Sequence, residues 1–119
     1  MPDHAVRWDL TSHANDASRT IRLMPSGELD LATGTLLDGA LRNAQREAST
    51  VTLDLCRLSF MDCSSLALLT AAADRAHDSG NRFLVIRPSP IVERLFALTA
   101  FDQRLGRSSP RRRADGARR

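Results

Sequence analysis

Phe60-Met61-Asp62-Cys63-Ser64-Ser65-Leu66 follows, four residues on, the alternating run Val51-Thr52-Leu53-Asp54-Leu55. Alternation of apolar and polar residues is the period of a half-buried strand. Ser64–Ser79 then takes helical spacing, with Leu66, Leu69, Ala73 and Ala76 on one face and Gly80 as the stop. A strand thus runs into an Asp, a thiol and two hydroxyls that open a helix. Backbone N–H groups at such an opening lack intrahelical partners and carry partial positive charge. A hydroxyl placed there can bear a phosphate that the helix end would hold. The functional question is whether one of these side chains is a switch.

On the N-terminal side, Thr35–Glu47 forms an amphipathic helix, with Leu37, Leu41 and Ala44 in register and Leu36 and Ala40 flanking. Before it, Thr20–Met24 alternates as a strand whose regular pairing ends at Pro25-Ser26-Gly27. Ala5–Leu10 has weak strand character, and residues 11–18 read as a loop. On the C-terminal side, Phe83–Ile86 is a short buried strand, and Arg87-Pro88-Ser89-Pro90 is a break. Ile91, Leu95 and Leu98 mark a third helix, with Pro90 in its first turn. A last short strand is expected near residues 103–106. The order β–β–α–β–α–β–α describes one α/β domain, a mixed sheet of four to five strands with helices packed on it.

The chain has 119 residues, enough for one small domain, and only five aromatics, so Leu, Val, Ile and Ala must supply its core. All 17 basic residues are Arg, the bias of a GC-rich bacterial genome. Residues 107–119 hold six Arg against Asp115, which is +5 of a total of +3, so residues 1–106 carry −2. The expected division is a domain over 1–106 and a disordered Arg-rich tail over 107–119. The tail's charge alone could hold an acidic partner, an anionic membrane or nucleic acid. The plainer reading is a solvated extension, and without an aromatic residue it offers no base stacking. Cys56 and Cys63 make no metal-ligand pattern, and neither a metal nor a cofactor is expected. With no leader-like or membrane-spanning apolar run, the expected location is cytoplasmic, with no membrane partner and both thiols reduced.

Three segments carry a resemblance to the STAS domain, in particular to the bacterial anti-sigma factor antagonists. They are Gly27-Glu28-Leu29-Asp30, Val51–Leu66 with its Leu-Ser-Phe-Met-Asp, and Pro88–Phe96. The resemblance implies a non-enzymatic module that binds an anti-sigma factor, often a Ser/Thr kinase-like ATPase, and so frees a sigma factor. Kinase action ends such a complex, and a phosphatase reverses it. The family's loop reads Asp-Ser-Ser/Thr-Gly, with phosphate on the first hydroxyl residue after Asp. Here that position is Cys63; Ser64 matches the second hydroxyl residue, and Ser65 stands where the family has Gly.

The resemblance implies partner contacts at Asp30, Asp62, Cys63, Ser64 and Ser65, with Ser64 as the remaining hydroxyl for phosphorylation. Each has a plainer alternative. Ser64 and Asp62 suit a helix cap, and Asp30 an exposed loop after a strand. Cys63 can be a small packing residue. A thiol-dependent enzyme or redox sensor centred on Cys63 is the alternative of another class, opposed by the adjacent Asp62 charge. A STAS scaffold that binds without phospho-switching is a further alternative. Cys56 is expected in the core, Trp8 over a sheet edge, and His4, His13 and His77 in solvent.

Because apolar periodicity stops after Leu105, the thermal melts of the full chain and of a 1–106 truncation should agree within a few degrees. A large drop on truncation would place the tail against the body.

Overall fold

The spine of the fold is a ten-residue strand that the sequence breaks visually at a proline and a glycine but the backbone does not. The computed structural model describes residues 8–99 and residue 101. Within them run β1 (Asp9–Asn15), β2 (Thr20–Leu29), α1 (Leu31–Glu47), β3 (Thr50–Asp54), β4 (Leu58–Met61), α2 (Ser65–Ser79), β5 (Arg82–Ile86) and α3 (Pro90–Thr99). β1 pairs antiparallel with β2, and the sheet runs β1-β2-β3-β5, with β4 also on β2. β2 pairs in parallel with β3 over Thr20–Leu23 and with β4 over Gly27–Leu29. Pro25 lies between these two ladders, where neither β3 nor β4 pairs with the strand, so its missing N–H breaks no ladder on that side.

Three of the expected element bounds differ from the structure. Residues 11–15 are strand, not loop: polar Thr11–Asn15 forms the edge strand β1, whose exposed face needs no apolar alternation. Residues 58–61 form β4, a four-residue strand too short to show a period; the 62–65 loop therefore leaves β4, not β3. Helix α1 begins at Leu31, a turn before the apolar register starts, because Asp30 caps it there. The strand expected at 103–106, the tail, His4 and the start of the Ala5–Leu10 segment lie outside the described residues.

The parallel neighbours β2, β3 and β5 are joined through α1 and α2, and right-handed crossovers place both helices on one face. They pack on each other and on the sheet, while α3 packs against β4. Ile21, Leu23, Val51, Leu53, Phe83 and Val85 meet Leu37, Leu41, Leu69 and Ala73 in the core. Gly80, at φ 74°, closes α2 in the left-handed conformation. α3 turns a different face inward than its Ile91-Leu95-Leu98 spacing suggests. Val92 and Phe96 are buried, Phe96 pairs with Phe101 at 5.1 Å between ring centroids, and Ile91 and Leu98 are exposed. Trp8 is half-buried against the core beside edge strand β1, and His13 and His77 are exposed.

Among the described residues one charged side chain is wholly buried. Asp54, the last residue of β3, has 0 % exposure and is bound by Arg87 just past β5. Arg87 Nε donates to Oδ2 at 3.1 Å, Arg22 Nη1 of β2 lies 3.7 Å away, and the Cys56 N–H donates to Oδ1 at 3.1 Å. The carboxylate thus ties β2, β3 and the segment after β5 together. Burial pushes its proton affinity up, but the hydrogen bonds from Arg87 and Cys56 and the Arg87 charge outweigh that and hold it below the usual carboxylate range. Cys56, expected in the core, is exposed: the chain turns out of the sheet after Leu55.

Removing this carboxylate should be costly. Asp54→Asn should lose roughly 1.5–3 kcal/mol of stability at neutral pH, the worth of hydrogen bonds to a charged group. A lowered folded pKa contributes stability above the unfolded value near about 3.9 and loses it as pH falls through the folded value. The gap between wild type and Asp54→Asn should therefore narrow in denaturant titrations taken below about pH 4.

Candidate functional site

Two chain segments meet where β2 and β4 end side by side. The Asp62 N–H donates to the Leu29 carbonyl at 3.1 Å, extending the β2–β4 ladder by one bond. The next residue of each strand is thereby placed at one edge: Asp30 after β2 and the 62–65 loop after β4. In β4 an extra residue, Ser59, is accommodated between the Gly27↔Leu58 and Glu28↔Phe60 pairs, and its hydroxyl donates to the Gly27 carbonyl at 3.1 Å.

Asp30 is not a free loop residue. It is the N-cap of α1 in a reciprocal capping box with Thr33. Its Oδ1 accepts from the Thr33 N–H at 3.0 Å, and its own N–H donates to Thr33 Oγ1 at 2.9 Å. The Thr33 backbone bond, then its hydroxyl, holds the Asp30 carboxyl below its ordinary value. The signal was present in the spacing of Asp30 and Thr33, three residues apart, which is that of a capping box.

Asp62 organises the second loop. Its Oδ1 accepts from the Ser65 N–H at 3.1 Å, from Ser65 Oγ at 2.9 Å and from Ser64 Oγ at 2.8 Å. Ser64 immediately precedes α2 but makes no side-chain cap of its own; its backbone is already helical, so the capping acceptor comes from Asp62, two residues earlier. Desolvation pushes the Asp62 carboxyl up, and the Ser64 and Ser65 bonds more than reverse this, leaving it below the ordinary range despite the nearby Asp30 charge.

The two serines have different surroundings. Ser65 is 1 % exposed, and its hydroxyl reaches the Leu29 carbonyl at 3.2 Å, locking the start of α2 to the end of β2. Ser64 and Cys63 are exposed at the tip of the loop. Asp30, Ser64 and Ser65 line a cavity of about 210 Å³ between the starts of α1 and α2, together with Leu31, Asp38 and Leu68. Leu31, Asp38 and Leu68 were not singled out from sequence. Leu31 is 79 % exposed on the outer side of the first turn, outside the buried register Leu37-Leu41-Ala44. The helices come close here: a Cβ at Gly34 would stand 3.1 Å from Leu68 Cδ2.

Among the described residues no group of three or more His, Cys, Asp or Glu is placed to hold a metal ion, and no helix is long and apolar enough to cross a membrane. What the arrangement offers is an exposed thiol and hydroxyl on a capped, hydrogen-bonded corner, beside a cleft lined by apolar Leu31 and Leu68 and by the carboxylates of Asp30 and Asp38.

This corner, on a sheet with α1 and α2 on one face, belongs to a known class. The chain is a member of the STAS domain family: the family model described as "Mlab, STAS domain" matches residues 11–107. Solved structures share the fold. An anti-sigma factor antagonist from Mycobacterium paratuberculosis is 23% identical with a TM-score of 0.67, over 80% of this chain and 81% of that one. The anti-sigma factor antagonist SpoIIAA in its unphosphorylated form is 22% identical with a TM-score of 0.64, over 88% and 85%. The Bacillus cell fate determinant SpoIIAA in the phosphorylated form is 22% identical with a TM-score of 0.61, over 88% of each chain. At these identities the likeness is one of fold.

The hydrogen bonds rank the loop residues. Ser65→Ala should cost about 1 kcal/mol, since the Leu29 carbonyl keeps its bond from the Asp62 N–H. Asp62→Ala removes the acceptor of three donors at once and should destabilise more than Ser65→Ala in urea titrations. The reverse order would show that the Ser65–Leu29 lock dominates.

Proposed function

We propose that this chain is an anti-sigma factor antagonist acting in the cytoplasm, whose domain over residues 1–106 docks on an anti-sigma factor and so frees a sigma factor for transcription. The partner is of the Ser/Thr kinase-like ATPase type, with a phosphatase as its counterpart where phosphorylation occurs. Family membership and the fold it shares with anti-sigma factor antagonists support the reading. The observation that carries it is the corner itself: Cys63 and Ser64 exposed beside Asp30 at a cleft whose lip is the exposed Leu31. Asp30, Asp62, Cys63, Ser64 and the first turn of α2 form the docking surface, and buried Ser65 shapes it from beneath.

Cys63 occupies the position of the family's acceptor but offers no hydroxyl. Ser64 is the hydroxyl on hand, and it donates to Asp62 at 2.8 Å. Its oxygen is thereby oriented, but phosphorylation there would break this bond and set about two negative charges beside Asp62. Asp30 and Asp38 line the same cleft and add to the repulsion. The α2 N-terminus offsets part of it, by roughly 0.3–1 kcal/mol. The balance favours an antagonist that a kinase phosphorylates weakly at Ser64 or not at all, and which therefore stays competent to bind.

Asp30→Arg is a poor probe of docking because it also uncaps α1. Leu31→Asp removes the exposed apolar lip and places an acid in the first turn, where the helix favours it. It should weaken binding to the anti-sigma factor at least tenfold while leaving the melt unchanged. Failure of the wild type to bind any anti-sigma factor of the source organism would overturn the assignment. Wild type, Ser64→Ala and Cys63→Ser, incubated with the kinase and ATP and mapped by mass spectrometry, test the switch. Cys63→Ser should gain phosphate; efficient wild-type phosphorylation that survives Ser64→Ala would sink the reading of the loop.

A further inference from the structure

A second cleft, of about 170 Å³, opens between the C-terminal halves of α1 and α2. Arg42, Arg46 and Arg75 converge on it with Gln45, Ser79 and Asn81, and none of the described residues that line it is acidic. The positive charge there is only partly answered. Asp38 binds Arg42 at 3.0 Å and approaches Arg75 Nη2 at 3.8 Å, beyond hydrogen-bond reach, so one carboxylate faces two guanidiniums. Arg46 is held by the neutral Asn43 amide oxygen.

Arg75 is the centre of the arrangement. Its Nε donates to Gln45 Oε1 at 2.9 Å, and Gln45 in turn donates from Nε2 to the Ala72 carbonyl at 2.8 Å. The guanidinium is therefore fixed in orientation before any ligand arrives. Its Nη2 is shielded from solvent and has no hydrogen-bond partner among the described residues. Such a donor is costly to leave unmet. Burial, and then the Arg42 charge, lower the hold of Arg75 on its proton, with Asp38 acting the other way.

We propose that this cleft is a binding site for a phosphate group, with Arg75 as the fixed central donor and Arg42 and Arg46 as flanking clamps. Guanidinium forks match tetrahedral oxyanions and bind them with charge-assisted, paired hydrogen bonds. A phosphate that displaces Asp38 from Arg75 supplies the acceptor that the shielded Nη2 lacks. It competes with Asp38 for Arg42 and Arg75, and Asp38 also lines the cleft beside Ser64. Occupancy of one cleft therefore bears on a wall of the other, although the phosphate site does not rest on the docking proposal.

The test is a titration of the full chain with inorganic phosphate, followed by amide and arginine Nε–Hε NMR shifts at constant ionic strength, with chloride as control. Saturable shifts centred on Arg42, Arg46 and Arg75 are expected, and chloride should not reproduce them. Asp38→Asn should tighten binding several-fold, Arg46→Gln should weaken it several-fold, and Arg75→Met should abolish it. If Arg75→Met fails to fold, the other two variants decide. Glycerol phosphate run in parallel separates the sources: tighter binding than inorganic phosphate marks a phosphate-bearing molecule, and weaker binding marks free phosphate. Shifts that do not saturate, that chloride matches, or that stay unchanged in both Asp38→Asn and Arg46→Gln would overturn the proposal.

Discussion

β2 has to serve two parallel partners in succession, and the rest of the molecule follows from that. Its first half accepts β3 and its second half accepts β4, with Pro25 in the gap between the two ladders. The second pairing brings the end of β4 alongside the end of β2, so that Asp30 and Asp62 leave the sheet at one edge and each starts a helix. Without the β2–β4 pairing, the 62–65 loop would have no fixed relation to α1 and there would be no cleft between the two helix starts.

The carboxylates at this edge are structural before they are anything else. Asp30 caps α1 through Thr33, and Asp62 gathers three donors from Ser64 and Ser65. These bonds hold both carboxyls below their ordinary range, which favours the charged form at this corner. A rigid acidic corner with an exposed apolar lip suits recognition: little order has to be gained on binding, and charge steers the encounter.

Asp38 joins the two ends of the helix pair. It lines the cleft by Ser64 and binds Arg42 and Arg75 at the other cleft. Within the sheet, at the end of the interior strand β3, Asp54 plays a comparable part for the strands, held by Arg22 and Arg87. In both places a single carboxylate is shared by two arginines from different elements. The difference is that Asp54 is sealed and fully hydrogen-bonded, whereas Asp38 leaves a guanidinium nitrogen of Arg75 unmet.

The sequence by itself determined the class of fold. The apolar register of Leu37-Leu41-Ala44, the alternation of Val51-Leu53-Leu55 and the glycine stop at Gly80 are local signals; the structure keeps the first and the last, and the alternation as far as Leu53. It also marked Asp30 and the 62–65 loop as belonging together, through a resemblance and not through any local pattern. Only the tertiary structure decided the rest. Residues 58–61 become a strand because β2 offers them an unpaired edge, which four residues cannot announce. Val92 and Phe96, not Ile91 and Leu98, turn inward because α3 packs against β4, a strand the sequence did not reveal. Asp54 reads as the polar half of an alternation, yet its burial depends on Arg22 and Arg87, which lie 32 and 33 residues away and meet it only in the folded sheet. Hydrophobic period is written in neighbouring residues and can be read from them; pairing, capping across loops and shared charges are set by distance in space, which the chain fixes only once it has folded.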